Sequence, residues 1–317
     1  MCFFLQVMAY FKMILQDDDV APQTLCINID GTAGTGKSFL IWAITTELCK
    51  IFHTEHGVDP VVCLAPTGIA VYGIHGWTLH FGLSIPVRKA WSDLSGSGLA
   101  CWNRVKLLII DEKSMVGRTT MGMVDRRLRQ IFPESSRDVL GGIPVLLFGD
   151  FAQLPPIGDQ PLFSDKPSKA QSGLSDQGRR VIEAFQQTVT LQTVFRQSGE
   201  DQEQVAFRDA LLRQRTYDIT PADYELFSTQ FWTKISQQEK AEFSDALHLL
   251  PTKAAVREYN LHCLASLGKP VLCISAKHNC SLAKKASEGD ADGLELEIML
   301  AEGASVMITR NLWTSKG

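Results

Sequence analysis

Residues 31–38 read Gly-Thr-Ala-Gly-Thr-Gly-Lys-Ser, the G-x-x-x-x-G-K-S spacing of a phosphate-binding loop. The apolar run 24–30 precedes it and residues 39–44 follow as a helix, which is the strand–turn–helix setting that the motif needs. Glycines let the backbone curl so that successive N–H groups face a phosphate, and the helix N-terminus adds partial positive charge. In such a loop Lys37 reaches the β- and γ-phosphates and the Ser38 hydroxyl ligates Mg²⁺. A chance match of the four fixed positions has odds on the order of one per cent, and the flanking elements lower it further.

At 317 residues the chain is long enough for two domains. A hydrophobic fraction of 45% and a charged fraction of 21% are those of a globular protein. The net charge of −4 does not announce a nucleic-acid partner, although a local groove can still be basic. Eight cysteines contain no C-x-x-C pair, and the loose group His262, Cys263, Cys273, His278 and Cys280 fits no zinc spacing. Cys26 and Cys63 sit in strand-like runs and read as small buried hydrophobes. Reduced thiols favour an intracellular setting. Residues 1–15 lack the basic start and cleavage site of a signal peptide. No run of 18 apolar residues is present, so no membrane span is expected.

Short apolar strands alternate with helices: 60–65, 105–111 and 143–150 are strand-like, and 118–132 is the clearest helix. The expected fold class is therefore α/β, a parallel, doubly wound sheet with its ligand at the carboxyl ends of the strands. Residues 85–104, with Trp91 and Trp102, suggest a small insertion. Residues 159–180 read as a polar loop or linker, and a second αβ region starts near Thr188. Thr220-Pro221-Ala222-Asp223 is a helix start, with Thr as cap, Pro first and Asp third. Residues 276–293 read as a polar loop.

Asp111-Glu112 closes an apolar strand, where a carboxylate pair is the expected partner of a phosphate loop. Asp111 would hold the Mg²⁺ shell and Glu112 would orient and deprotonate water. Gln153, in Gly149-Asp150-Phe151-Ala152-Gln153-Leu154-Pro155-Pro156, can hydrogen-bond a γ-phosphate or its attacking water. Arg196, in Val194-Phe195-Arg196-Gln197, can neutralise transition-state charge from a second domain. An ordinary surface salt bridge is its bland alternative. Residues 65–70 and 76–81 place hydroxyls and backbone N–H groups at helix starts, which suits nucleic-acid phosphates. Trp77, His80 and Phe81 either stack on bases or fill a core.

Taken in order, G-T-A-G-T-G-K-S, A-P-T-G-I-A, T-L-H, I-I-D-E-K-S-M, G-D-F-A-Q-L-P-P and V-F-R-Q resemble the motifs of superfamily 1B DNA helicases. The similarity is to the Pif-type (petite integration frequency) family and its Helitron-transposon relatives. Gln6-x-x-Ala9-Tyr10 resembles the family's adenine-reading motif, and residues 207–215, 250–253 and 259–260 resemble its second motor domain.

The resemblance implies a P-loop NTPase with RecA-like domains. Residues 1–187 would form the first, with an insertion near 85–104, and 188–317 an incomplete second. It implies ATP and Mg²⁺ as cofactors, with Gln6 at adenine, and Gly31, Gly34, Thr35, Gly36, Lys37 and Ser38 at the phosphates. Ser38 and Asp111 would hold the metal, and Lys37, Asp111, Glu112, Gln153 and Arg196 would run hydrolysis. Pro66, Thr67, Gly68, Thr78 and His80 would contact DNA. The implied activity is ATP-driven 5′-to-3′ translocation and unwinding by a monomer, on single-stranded and forked DNA, with no membrane partner, in nucleus or mitochondrion.

Two departures stand out. Lys113 replaces an apolar residue between D-E and S-M, so its charge either bears on the metal site or points outward. The sequence ends at Gly317, ahead of the family's asparagine–glycine, G-Q and A-L-S-R motifs, so the second motor domain is expected to be incomplete. The alternatives are a transposon-derived remnant that binds nucleotide or DNA without coupled turnover, and an unrelated phosphate-loop enzyme such as a small-molecule kinase.

Overall fold

Continuous apolar runs with no polar face can be satisfied only by strands covered on both sides, and that is how this chain uses them. The computed structural model describes residues 2–16, 24–52, 59–86, 91–94, 102–167, 173–197, 199–278, 280, 283 and 295–307. Two compact units divide between Phe227 and Ser228.

In the first unit, β1 (Cys26–Gly31), β2 (Val61–Ala65), β3 (Trp77–Thr78), β4 (Leu107–Ile110), β5 (Val145–Gly149) and β6 (Gln187–Leu191) form one sheet. Its order is β3-β2-β4-β5-β1-β6 and every pairing is parallel. Alternate strand residues feed opposite faces. Leu108, Ile110, Val145 and Leu147 pack with Met121, Val124 and Leu128 of α5 (Arg118–Ile131) and Val181 of α6 (Leu174–Glu183). Leu107, Ile109, Leu146 and Phe148 pack with Val7 and Phe11 of α1 (Cys2–Gln16) and Ile41, Ile44 and Leu48 of α2 (Lys37–Ile51). The sheet is thus doubly wound, as the alternation of strands and helices predicts.

Two features depart from the sequence reading, and a third expectation falls largely outside the described residues. The stretch 159–180 is not simply a linker: α6 begins at Leu174 and crosses α5 so closely that a Cβ on Gly178 would lie 1.9 Å from the Arg118 carbonyl oxygen. Glycine here permits contact between backbones, where a sequence reading takes it for a breaker. Residue 188 falls inside β6, which pairs with β1 (Ile27 opposite Gln187, Gly31 opposite Leu191), so 187–191 extend the first sheet. Of the expected insertion, 87–90 and 95–101 lie outside the described residues. Trp102 is buried, whereas Trp91 lies against the guanidinium groups of Arg126 and Arg127.

Short helices α3 (Gly68–Tyr72) and α4 (Leu79–Gly82) follow β2 and β3, and α7 (Gln202–Thr216) and α8 (Pro221–Ser228) follow β6. The start at Thr220 forms as its residues dictate: Asp223 N–H donates to the Thr220 hydroxyl, and Thr220 N–H donates to the Asp223 carboxylate. The second unit contains α9 (Gln237–Glu242), α10 (Lys253–Ser266) and the antiparallel pair β7 (Val271–Ser275) and β8 (Glu297–Ala301). Most of 276–293 and all of 308–317 lie outside the described residues. No helix among the described residues is long and apolar enough to cross a membrane.

Candidate functional site

Because the six strands of the first sheet run parallel, their carboxyl ends share one rim, and all but one of the candidate site residues sit on loops and helix starts leaving that rim. Gly31 ends β1 and Lys37 begins α2. Between them Gly34 (φ 82°) and Gly36 (φ 84°) take left-handed backbone, which a side chain would strain. The Lys37 ammonium donates to the Gly31 and Thr32 carbonyls at 2.7 and 3.0 Å, and the Thr35 hydroxyl donates to Thr32 O at 2.8 Å. The loop is therefore already curled, with its lysine folded over the concavity.

Asp111 and Glu112 leave β4 beside it. The Asp111 carboxylate is buried and accepts from the Glu112 N–H at 2.9 Å. Burial pushes Asp111 above the ordinary carboxylate range, against the pull of that N–H and of Lys37. Glu112 is raised too, by burial first and then by the Asp111 charge. Its backbone is left-handed (φ 52°), which turns the chain sharply into a single 3₁₀ turn, Lys113–Met115.

Lys113 neither points outward nor faces the carboxylates. Its side chain is fully buried and reaches back under the sheet rim, where the ammonium pairs with Asp30 and donates to Asn28 Oδ1. Burial lowers the lysine's proton affinity and Asp30 works against that.

Gln153 is set by the exit of β5, where its N–H donates to Asp150 O at 2.9 Å. Asp150 is itself buried. Burial tends to raise its carboxyl, but the Arg215 guanidinium from α7 at 2.5 Å and the Ala152 N–H hold it below the ordinary value. Arg196 follows β6. It lies in the same compact unit as the phosphate loop, not in a second domain, because β6 runs parallel beside β1 and exits past the loop. Phe195 N–H donates to Gly34 O at 2.8 Å, and a Cβ on Gly34 would lie 2.6 Å from Arg196 Cβ. Gly34, Gly36, Lys37, Ser38, Asp111, Glu112, Gln153 and Arg196 line one cleft of about 470 Å³.

The nucleic-acid candidates lie further along the rim. Pro66 links β2 to α3. Thr67 caps α3, its hydroxyl accepting from Ala70 N–H, and Thr78 caps α4, accepting from Phe81 N–H. Gly68 faces open space, with nothing near a would-be Cβ. Trp77 and Phe81 are exposed and stack on one another with centroids 5.0 Å apart, so neither fills the core. His80 is half-buried, which lowers its pKa. Gln6 stands apart: its amide exchanges hydrogen bonds with Gln187, opposite Ile27. Four residues of strand, about 13 Å, separate that position from Gly31.

The residues present suit a magnesium nucleotide. A hydroxyl and a carboxylate are the hard oxygen donors that Mg²⁺ takes alongside water and phosphate. Burial of Asp111 leaves that carboxylate short of countercharge. Among the described residues no cluster of three or more His, Cys, Asp or Glu is placed to hold a metal on its own. Burial pushes the Cys26 and Cys63 thiols up to about 11, as expected of inert core cysteines.

The PIF1-like helicase profile matches residues 9–223. The chain belongs to the PIF1-like helicase family. Among curated relatives, Saccharomyces cerevisiae PIF1, an ATP-dependent DNA helicase, is 32% identical over 196 residues, 60% of this chain and 21% of its own length. RRM3 of the same species, also an ATP-dependent DNA helicase, is 29% identical over 297 residues, 89% of this chain and 37% of its own. The chain thus spans well under half of either. Of solved structures, Candida albicans Pif1 superposes with a TM-score of 0.67 at 22% identity, over 96% of this chain and 64% of that one. Bacteroides Pif1 bound to single-stranded DNA gives 0.60 at 23%, over 94% and 63%. These two carry the fold. The PIF1-like match includes every candidate site residue except Gln6.

The sequence reading did not find three side chains of this site. Asn28 and Asp30 were visible as polar residues in a buried strand, a signal that asks for a partner. Arg215 closes the family-like stretch 207–215, but nothing in the sequence pairs it with Asp150, since only the tertiary fold brings α7 over β5.

Proposed function

We propose that this chain is the motor core of an ATP-dependent DNA helicase that moves 5′ to 3′ along single-stranded DNA and opens duplexes and forks in genome maintenance. The observation that carries the reading is the convergence of Lys37, Asp111, Glu112, Gln153 and Arg196 on one cleft, beside Thr67 and Thr78 on the same rim.

Lys37 exchanges the Gly31 and Thr32 carbonyls for the β- and γ-phosphates when nucleotide enters. Ser38 and Asp111 would hold Mg²⁺, which when bound would neutralise phosphate charge. Glu112, with its raised proton affinity, accepts a proton from the attacking water. Gln153 orients that water or the γ-phosphate, and Arg196 offsets charge on the departing phosphoryl group. Thr67, Gly68 and Thr78, with Pro66 shaping the turn and His80 behind it, meet the DNA backbone. Gln6 reaches adenine only after leaving Gln187.

The test is steady-state ATP hydrolysis with and without oligo(dT), for the chain and for Lys37→Ala. DNA should accelerate turnover and Lys37→Ala should abolish it. Oligo(dT) affinity should fall with salt at a log–log slope of about −0.7 per phosphate neutralised. DNA binding with no turnover, or phosphorylation of a small acceptor with no effect of DNA, would overturn the reading.

A further inference from the structure

The geometry points to Lys113 as a positioning residue that locks three strand exits of the ATP site together, an inference that rests on the ATPase reading above. Its backbone belongs to the carboxylate turn, one residue after Glu112. Its ammonium crosses to β1, pairing with Asp30 immediately before the phosphate loop, donating to Asn28 Oδ1 and reaching Ile29 O at 3.3 Å. The same ammonium lies 4.6 Å from the centroid of Phe151, two residues before Gln153. Gly149, on the same exit, has φ 145° and sits so close that a Cβ there would be 2.8 Å from Lys113 N and 2.9 Å from its Cγ.

One fully buried side chain therefore ties the strand that leads into the phosphate loop to the turn that carries the Asp111–Glu112 pair and to the exit that carries Gln153. β5 lies between β1 and β4, so no backbone ladder joins the phosphate-loop strand to the carboxylate strand. Lys113 supplies that missing link across β5. Asn28 extends it outward, donating to Asp30 and to Thr188 on β6 at 3.2 Å each. An apolar residue at 113 would fill the space without fixing the spacing of the loops.

Lys113→Met, Asp30→Asn and the double variant test this in the full chain. Lys113→Met should lower kcat about ten- to a hundredfold, the scale of a small misplacement of reacting groups, while KM for ATP moves less than about threefold. It should also lower the thermal midpoint, because it strands the Asp30 charge. The double variant removes that charge and should regain the midpoint with kcat still depressed. Recovery of kcat together with the midpoint would reduce Lys113 to a structural counter-ion and overturn the proposal. Should the unaltered chain hydrolyse no ATP, the ATPase reading fails on its own, and binding of a non-hydrolysable ATP analogue decides for Lys113. Lys113→Met should then weaken binding only about two- to threefold with Mg²⁺, in keeping with the small change in KM, and leave Mg²⁺-free binding unchanged, and equal effects in both would overturn it.

Discussion

Glu112 carries the site's clearest conflict between stability and chemistry. Its left-handed backbone and its half-buried position beside Asp111 both cost free energy, and both place an ionisable oxygen next to the phosphate loop. Burial and then Asp111 raise its proton affinity, Lys37 opposes them, and Asp150 adds to the rise. Between the ordinary glutamate value and the raised one, the unfolded chain releases its proton first, so stability falls as pH climbs through that window. Above the ordinary glutamate value, desolvation of Glu112 and its repulsion from Asp111 therefore destabilise the nucleotide-free protein. Glu112→Gln should raise the thermal midpoint at neutral pH, and the gain should fade below about pH 4.3, where the side chain is protonated in both states. The same change should cost about 10²–10⁴ in turnover, the usual contribution of a positioned base. A calorimetric pH series alongside ATPase assays checks both, and a lowered midpoint at neutral pH would contradict the argument.

Among the elements, the pair α5 and α6 shows how glycine can direct packing. The would-be Cβ of Gly122 lies 2.0 Å from Leu174 O and that of Gly178 lies 1.9 Å from Arg118 O, so neither backbone can retreat without moving its helix. Gly178→Ala should destabilise by about 1–3 kcal/mol, the cost of overpacking a tight contact. Denaturant unfolding measures this, and ATPase activity per folded molecule should hold because no cleft residue lies on α6. The sequence makes the strands and their exits legible, because Leu107–Ile110 and Val145–Gly149 are fully buried runs that admit one reading. It conceals α6, whose Gly178 and adjacent arginines look like a polar linker, and it conceals β6, whose Gln187, Thr188 and Thr190 are exposed on an edge strand. Motif spacing places Lys37, Asp111, Glu112 and Gln153 on one cleft in advance. What Lys113 does depends on Asp30, 83 residues away, and spacing says nothing of such a pair.

At the level of the whole molecule, the two units differ in how far their strands are protected. In the first, β4 and β5 are buried along their full length between helices. In the second, every residue of β7 is exposed, with Leu272 at 62% and Val271 and Ile274 at 46%. Its partner β8 exposes Ile298, and no third strand among the described residues extends the pair. A two-stranded ribbon is at best marginally stable in water, because it lacks a face on which to bury its apolar side chains. Opening free energies should therefore separate by unit, approaching the global value in β4 and β5 and remaining far smaller in β7 and β8. Native-state amide exchange followed by mass spectrometry should find Val271–Ser275 exchanging orders of magnitude faster than Val145–Gly149. Magnesium nucleotide should slow exchange at Gly34 and Gly36 by occupying their N–H groups. Equal protection of β5 and β7 would mean that the ribbon is covered in solution, and would place the second unit's stability in contacts beyond its own two strands.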